Sequence, residues 1–254
     1  MEKKYSGSSL RANIIHGIHP VEEALNSGRT IEKIFIAKDI RKAGFIDFLK
    51  KAREKYIPIQ FVPVEKLNRL AGNNHQGVAC IIALIQYYQT QDIIAQSYEK
   101  GQSPLLLLAD RVTDVRNFGA IARTAYAAGV QGIIIPEAES AAINAEAMKS
   151  SAGALNNIPV CREKNLLTIL KQLKLIGIQT IASDVKGSKY IFDCNLQIPT
   201  AIIVGSEGEG IAPELLRIAD EIVKIPMANN FNSYNVSVAT GMMLYEAMKQ
   251  RMEH

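Results

Sequence analysis

The 254-residue sequence has no tryptophan, only three cysteines and few aromatic side chains, which make up 6% of the chain. Cys80, Cys161 and Cys194 lie far apart and form no Cys-x-x-Cys pair, which excludes a disulfide framework and a cysteine-rich zinc module. No apolar run approaches the roughly 20 residues of a membrane-spanning helix. Residues 1–13 are polar and lack the apolar segment of a secretory signal. These absences predict a soluble, cytoplasmic protein that binds neither membrane nor metal.

Basic residues are concentrated in the first part of the chain. Residues 1–100 contain 15 Lys and Arg against 10 Asp and Glu, whereas the remaining 154 residues contain 14 against 15. A basic region suits a polyanion such as a nucleic acid. The overall net charge of +4 is also that of an ordinary solvated surface, so charge alone favours the simpler interpretation.

Composition divides the chain into two blocks. Residues 86–103 are polar and then punctuated by glycine and proline, which predicts a linker between a domain at 1–85 and one at 104–254. Apolar periodicity in the first block predicts a small α/β domain. Its expected strands are 31–37, 57–62 and 77–85, and its expected helices are 41–56 and 64–70.

The second block alternates between strands and helices at greater length. This alternation predicts a mostly parallel sheet with helices on both faces. The expected strands are 105–109, 132–135, 158–161, 179–183, 201–204 and 221–225, and the expected helices are 118–128, 144–152, 166–175, 212–219 and 236–252. Ligands bind beyond the carboxyl ends of strands in such sheets. We therefore expect the site in the loops that follow residues 109, 204 and 225.

The loop that follows residue 204 contains three glycines and two carboxylates, Glu207 and Glu209. Its spacing matches neither a P-loop nor the Gly-x-Gly-x-x-Gly dinucleotide motif. The carboxylates would repel a pyrophosphate and favour a cationic ligand, such as a sulfonium, or a sugar hydroxyl. A tight turn before the next helix is the simpler alternative.

The other two loops are rich in polar side chains beside helix starts. Ser233 or Asn235 is an expected N-cap of the last helix, and Asn117 is an expected cap of the helix that follows residue 109. Arg116 and Arg123 are seven residues apart, close to one azimuth of that helix, where a guanidinium pair would suit a phosphate.

The three loops resemble, in the right order, the motifs of the SpoU family in the SPOUT superfamily of RNA ribose 2′-O-methyltransferases. The matching segments are Asn117-Phe-Gly-Ala-Ile-Ala-Arg123, Ile203-Val-Gly-Ser-Glu-Gly-Glu-Gly210, Ile225-Pro-Met227 and Ser233-Tyr-Asn-Val-Ser-Val-Ala239. The first block is similar to the L30e-like substrate-binding domain of that family, through the segments that begin at His16 and His75. The layout looks most like the bacterial group that methylates a guanosine of 23S rRNA.

This resemblance implies a trefoil-knotted fold, a homodimer with active sites at the subunit interface, and S-adenosylmethionine as cofactor. By position, the catalytic residues would be Asn117, Arg123, Glu207, Ser233 and Asn235, and the cofactor-binding residues would be Gly205, Ile225, Met227 and Tyr234. Two positions depart from the family's pattern: Val115 stands where proline is usual, and Tyr234 stands where leucine is usual.

Three alternatives remain open at the level of sequence. The same chemistry could act on tRNA, since the catalytic motifs do not distinguish RNA substrates. A non-catalytic RNA-binding protein with a relict methyltransferase fold would have no reason to keep all the polar motif residues together. A nucleotide-dependent dehydrogenase is disfavoured by the glycine spacing and by the two acidic residues of the second loop.

Overall fold

The computed structural model describes residues 13–38, 40, 45–55, 57–229 and 232–252. The chain divides into two compact units, Met1–Gln86 and Tyr87–His254. Among the described residues, no helix is both long and apolar enough to cross a membrane.

The first unit is built on a four-stranded mixed sheet. Its strands lie in the order β1-β4-β2-β3, in which only the β2–β3 pair is parallel. The strands are β1 Ile14–His16, β2 Ile31–Ala37, β3 Ile59–Val62 and β4 Val78–Ile82, and the helices are α1 Ile18–Asn26, α2 Phe45–Glu54 and α3 Val64–Ala71. Alternate residues of β2 are buried in different clusters, Ile34 and Ile36 in one and Phe35 and Ala37 in the other. Both faces of this sheet are therefore covered.

The elements predicted for the first block are present, but β3 and β4 are shorter than predicted. β1 and α1 were not predicted, because residues 14–26 combine a three-residue strand with a helix that includes a proline and a histidine. The predicted helix 41–56 corresponds to α2, and its ends at residues 41–44 and 56 lie outside the described residues.

The second unit contains an eight-stranded sheet in the order β10-β12-β9-β11-β6-β7-β8-β5. The strands are β5 Tyr87–Tyr88, β6 Leu105–Ala109, β7 Gly132–Pro136, β8 Val160–Glu163, β9 Gln179–Ser183, β10 Lys189–Tyr190, β11 Thr200–Val204 and β12 Glu221–Lys224. Every pairing described in this sheet is parallel. The α/β class and the parallel sheet predicted from the sequence are confirmed, and the knot stays a prediction.

Six helices cover the two faces of the large sheet: α4 Thr90–Glu99, α5 Val115–Ala127, α6 Ala145–Ser150, α7 Leu166–Leu175, α8 Pro213–Ile218 and α9 Val236–Met252. Leu106 and Leu108 of β6 pack in one buried cluster with residues of α4, α7 and α8. The intervening Leu105 and Leu107 are also buried, toward the opposite face. There α5 packs against both α6 and α9, and α9 contacts β11. A strand buried on both faces explains the uninterrupted apolar run of β6.

The segment 86–103, which we expected to act as a linker, belongs largely to the second unit. It contains β5, which pairs with β8, and α4, whose Ile93 and Ile94 are buried in the core of the sheet. Its polar surface residues alternate with these buried positions. The assignment of separate roles to the two units stays a prediction.

The last helix, α9, is tied at its carboxyl end to the amino end of the sheet. The guanidinium of Arg251 donates to four main-chain carbonyls, those of Ser103, Pro104, Leu196 and Ile198, at 2.6–3.2 Å. The neighbouring Gln250 accepts from Leu196 N at 2.9 Å. α9 therefore begins at the opposite end of the sheet, where the candidate site lies.

Candidate functional site

A cleft of about 440 Å³ opens at the carboxyl ends of β9, β11 and β12. Two of the three loops expected from the sequence line it, the loop that follows β11 and the loop that follows β12. All four predicted cofactor-binding residues, Gly205, Ile225, Met227 and Tyr234, lie on its wall. Glu207 and Ser233 also line the cleft. The structure thus brings together, in one concave space, residues that are up to 29 positions apart in the sequence.

The loop 205–210 folds back on itself so closely that its first residue must be glycine. A Cβ atom on Gly205 would lie 2.2 Å from the carbonyl carbon of Gly210, far inside van der Waals contact. Gly210 itself has φ +70°, a left-handed conformation that glycine adopts without strain. A bridge between Ser206 and Gly210 closes the turn. The glycines of this motif therefore determine the shape of the loop and do not form a phosphate-binding loop.

Three polar side chains, one from each predicted loop, form a closed hydrogen-bonded triangle. Asn117 Nδ2 donates to Glu207 Oε1 at 3.0 Å, and Asn235 Nδ2 donates to Asn117 Oδ1 at 3.1 Å. Asn235 Nδ2 also donates to Glu207 Oε1. The carboxylate accepts from both amides, so the triangle holds the three loops in register.

Asn235 also caps the start of α9. Its Oδ1 accepts from Ser237 N at 3.0 Å and from Val238 N at 3.4 Å, which is the geometry of an N-cap. Of the two caps expected for this helix, the structure selects Asn235. Its amide oxygen stabilises the helix while its amide nitrogen joins the triangle.

The expected cap of α5 was wrong. The helix begins at Val115, and Asp114 caps it by accepting from Arg116 N at 2.9 Å and from Asn117 N at 2.8 Å. An aspartate three positions upstream competes well for this role because its carboxylate also interacts favourably with the positive end of the helix dipole. Asn117 lies instead in the first turn, which frees its side chain for Glu207.

Arg116 of the expected arginine pair contacts a carboxylate, and the phosphate site stays a prediction. Arg116 Nε donates to Glu146 Oε1 of α6 at 2.6 Å, so this guanidinium already has a carboxylate partner. Arg123 lies two turns farther along α5, is exposed, and does not line the cleft. Helical azimuth alone could not reveal the acidic neighbour on α6.

Sequence reasoning missed one wall of the cleft and one internal contact. Residues Ser183–Lys186, at and just after the end of β9, line the cleft because β9 lies between β11 and β12. The order of strands cannot be read from their alternation along the chain, and the loop carries no distinctive motif. Tyr234 Oη donates to the carbonyl of Pro226 at 3.1 Å, so the two limbs of the third loop are joined by a hydroxyl that leucine would lack.

The chemistry of the cleft fits a cationic, partly apolar cofactor of the size of S-adenosylmethionine. The volume lies in the range of ordinary ligand sites, roughly 300–1,000 Å³. Val204, Ile225 and Met227 supply apolar surface, whereas Glu207 supplies a negative charge whose hydrogen-bond donors are neutral amides. Glu209, the other carboxylate of the loop, forms an ion pair with Arg111. Among the described residues, no group of His, Cys, Asp and Glu could hold a metal ion.

Comparison with known proteins gives concordant matches. A model of the SpoU rRNA methylase family matches residues 104–245, and a model of RNA 2′-O ribose methyltransferase substrate binding matches residues 14–88. A Staphylococcus haemolyticus protein, assigned by name to the TrmH family of tRNA/rRNA methyltransferases, is 38% identical over 94% of this chain and 96% of its own length.

Two solved structures are also similar. The AdoMet-bound rRNA methyltransferase of Sinorhizobium meliloti is 26% identical, with a TM-score of 0.60 over 94% of this chain and 87% of its own. The TrmH/SpoU tRNA modifying enzyme of A. aeolicus is 37% identical, with a TM-score of 0.56 over 60% of this chain and 77% of its own.

Proposed function

Because the chain belongs to the SpoU rRNA methylase family, we propose that it methylates the ribose 2′-hydroxyl of a guanosine in 23S rRNA. It is an RNA methyltransferase with S-adenosylmethionine as its methyl donor. The observation that carries the proposal is the Asn117–Glu207–Asn235 triangle at the edge of a cleft of suitable size. A relict fold would have no reason to keep this polar triangle intact, so the alternative of a non-catalytic RNA-binding protein is disfavoured.

We assign cofactor binding to the cleft wall. Gly205, Ile225 and Tyr234 would contact the cofactor through main-chain atoms, and Met227 would pack against it. When bound, S-adenosylmethionine supplies an electrophilic methyl group on a sulfonium centre. The negative charge of Glu207 suits that cation, and the apolar side chains of the cleft wall suit the less polar parts of the cofactor.

The chain must also orient the ribose hydroxyl and provide for removal of its proton. Asn117, Ser233 and Asn235 offer hydrogen-bonding groups for the ribose. Arginine is a poor general base because its guanidinium stays protonated and has no lone pair that could take up a proton. We therefore assign Arg123 the role of positioning an RNA phosphate that accepts the proton. Glu207 accepts from two amides, which fits the role of holding Asn117 and Asn235 in place; it is the alternative proton acceptor.

The assignment of Arg123 requires a second copy of the chain. Arg123 is exposed on α5 and lies outside the cleft of its own chain, as expected if it serves the cleft of a partner in a homodimer. Tyr126 of α5 and Tyr245 of α9 expose 51% and 63% of their surface, and these two helices pack side by side. A homodimer built on this face would cover both tyrosines.

The Arg123→Ala variant tests this mechanism. We expect turnover to fall by at least about 1,000-fold, because positioning and proton transfer are lost together, while S-adenosylhomocysteine binds as in the wild type. Single-turnover methylation and calorimetric binding measure the two effects. Turnover similar to that of the wild type would remove Arg123 from the chemistry.

Substrate RNA is assigned partly to the first unit. The substrate-binding family model covers residues 14–88. Lys50 and Arg53 are exposed on α2, and Lys51 is exposed beside Glu22, with which it pairs. Phosphate contacts of this kind give affinity without sequence specificity.

The same reaction on tRNA is the second candidate. It is favoured by the 37% identity to the A. aeolicus tRNA modifying enzyme, which exceeds the 26% identity to the S. meliloti rRNA enzyme. The similarity to the S. meliloti rRNA enzyme extends over 94% of this chain, against 60% for the A. aeolicus enzyme, and this greater coverage favours rRNA.

The deciding experiment supplies radiolabelled S-adenosylmethionine and, separately, unmodified 23S rRNA, 16S rRNA and bulk tRNA. Label in an alkali-resistant dinucleotide of 23S rRNA would support the proposal, since a 2′-O-methyl group blocks hydrolysis of the adjacent phosphodiester. Label only in tRNA would keep the chemistry and overturn the substrate. Absence of label and of S-adenosylhomocysteine binding would contradict the function itself.

A further inference from the structure

The loop 205–210 is held from outside by the two residues that directly follow β6, Asp110 and Arg111. We propose that these two residues position the cofactor loop before the cofactor arrives, so that Arg111 determines cofactor affinity without belonging to the cleft wall. This inference rests on the proposed function, in which the loop 205–210 binds S-adenosylmethionine.

Asp110 is the buried base of this arrangement, with 4% of its surface exposed. Its main-chain N–H donates to Val204 O at 2.8 Å, which extends the pairing of β6 and β11 by one residue. Its Oδ2 accepts from Ala212 N at 2.8 Å, just beyond the loop. A buried carboxylate needs such donors because an unpaired one would be strongly destabilising. Asp110 therefore fixes both the entry and the exit of the loop.

Arg111 extends from this base to the loop itself. Its Nε donates to both carboxylate oxygens of Asp110 at 3.3–3.4 Å, and its Nη2 donates to Gly210 O at 3.2 Å. Its Nη1 forms an ion pair with Glu209. The hydrogen bond to Asp110 raises the pKa of Arg111, so the guanidinium stays charged at any working pH. A planar fork with several fixed donors can hold these groups at once, whereas a lysine cannot.

The main chain of Arg111 has a strained conformation. Its φ is +52°, in the left-handed region that residues with a Cβ rarely adopt. Such strain persists only where surrounding contacts compensate for it. Glycine would relieve the strain but would supply none of the contacts to Glu209 and Gly210.

Two consequences follow for the cleft. Arg111 forms its ion pair with Glu209 and not with Glu207. Of the two carboxylates of the loop, Glu207 therefore keeps its charge free of Arg111. The hydrogen bond from Arg111 to Gly210 also holds the end of the loop beside its start, where the main chains of Gly205 and Gly210 lie in close contact. A loop ordered in advance does not lose that conformational freedom on binding, and affinity rises accordingly.

Three substitutions at position 111 separate side chain from strain. Arg111→Ala removes the fork and keeps the strained main chain, Arg111→Gly removes both, and Arg111→Lys keeps a charge without the fork. We expect the dissociation constant of S-adenosylhomocysteine and the KM for S-adenosylmethionine to rise about tenfold in the Ala and Gly variants, with kcat within twofold. The Lys variant should recover part of the affinity.

The matched control is Lys189→Ala, which removes a surface ion pair with Glu221 at the edge strand, away from the lining of the cleft. It should leave cofactor affinity unchanged. Hydrogen exchange of the main-chain amides of residues 208–212, measured without cofactor, should become at least fivefold faster in the Arg111 variants and stay unchanged in the control. A lower melting temperature with unaltered affinity and exchange would overturn the proposal and leave Arg111 a purely structural role.

A double-mutant cycle with Glu209→Ala completes the test. If Arg111 acts through the loop, the two substitutions should be strongly non-additive, since each removes the same ion pair. Additive losses of affinity would show that Glu209 contacts the cofactor directly and would overturn the proposal. If the wild type binds no S-adenosylhomocysteine, the proposed function fails. The hydrogen-exchange comparison still decides whether Arg111 orders the loop.

Discussion

Two groups of polar side chains, one at each end of the large sheet, are used in different ways. At the carboxyl end, the side chains of Asn117, Glu207 and Asn235 bond to one another and so join the start of α5, the loop 205–210 and the start of α9. At the amino end, Arg251 and Asp220 bond to main-chain groups next to the first residues of the strands. α9 joins the two arrangements, because Asn235 caps its start and Arg251 lies in its last turn.

This difference separates the groups available for chemistry from those committed to the fold. A side chain that donates to several main-chain carbonyls of the fold cannot be removed without losing those hydrogen bonds. Side chains that mainly satisfy one another on an exposed surface can exchange partners when a ligand arrives. We therefore expect substitutions at the carboxyl end to reduce activity and those at the amino end to reduce stability.

Among substitutions in these two groups of side chains, the largest expected effect is that of Glu207→Gln, which keeps the shape of the side chain and removes its charge. Loss of a positioned charged group in a reacting site lowers rates by about 10²–10³-fold. We expect kcat/KM for methylation to fall by that factor and the melting temperature to change by less than about 2 °C. A large fall in melting temperature would contradict the separation of the two ends.

Arg251→Ala should show the converse behaviour. It removes four hydrogen bonds to main-chain carbonyls, three of them partly buried, and we expect the free energy of unfolding to fall by about 2–4 kcal/mol. Denaturant titration measures the loss, and methylation well below the transition temperature should keep the wild-type rate. Arg251→Lys, which keeps the charge with fewer fixed donors, should lose less. A reduced rate in folded Arg251→Ala would couple the two ends.

A smaller effect should appear in acid through Asp220. Burial raises the pKa of this carboxyl, but the hydrogen bonds from Thr180 and Lys174 outweigh burial and lower it below 3.8. The stabilisation is therefore present above pH 3.8 and is lost as the pH falls through the lowered pKa of the folded state. The difference in unfolding free energy between wild type and Asp220→Asn should shrink over that interval. A difference that does not vary with pH would contradict this.

The smallest expected effect is that of Tyr234→Phe at the carboxyl end. The hydroxyl joins Tyr234 to Pro226 across the third loop, and a single exposed hydrogen bond contributes about 0.5–1.5 kcal/mol. We expect KM for S-adenosylmethionine to rise about threefold with kcat unchanged. Steady-state kinetics measures both constants, and an unchanged KM would show that the loop needs no such support.

Much of the second unit was predictable from apolar periodicity. β6, β9, α7 and α9 begin and end at the residues expected, because each is a buried run or an amphipathic stretch bounded by clear turn residues. β5 was not expected as a strand, because it has only two residues. The packing of α4 against the sheet was not expected either, because α4 buries only a narrow stripe. Local patterns carry no information on such long-range pairing.

The site shows the same division. The loops were found because parallel strands place their carboxyl ends at one edge, and the resemblance then selected Gly205, Ile225, Met227 and Tyr234, which line the cleft. Their catalytic and binding roles stay predictions. Asp110 and Arg111 were missed because their partners lie about 100 positions away and a left-handed arginine leaves no sequence signal.

The double use of Asn235 places an unusual restriction on its evolution. Serine or aspartate could cap α9, but serine has no amide to donate to Glu207, and aspartate would set a second negative charge beside it. Glutamine keeps the amide but is a poor cap. No single substitution preserves both interactions, so drift at this position requires a compensating change at Glu207 or at Asn117. We expect the three positions to vary together among descendants of this sequence, or not at all.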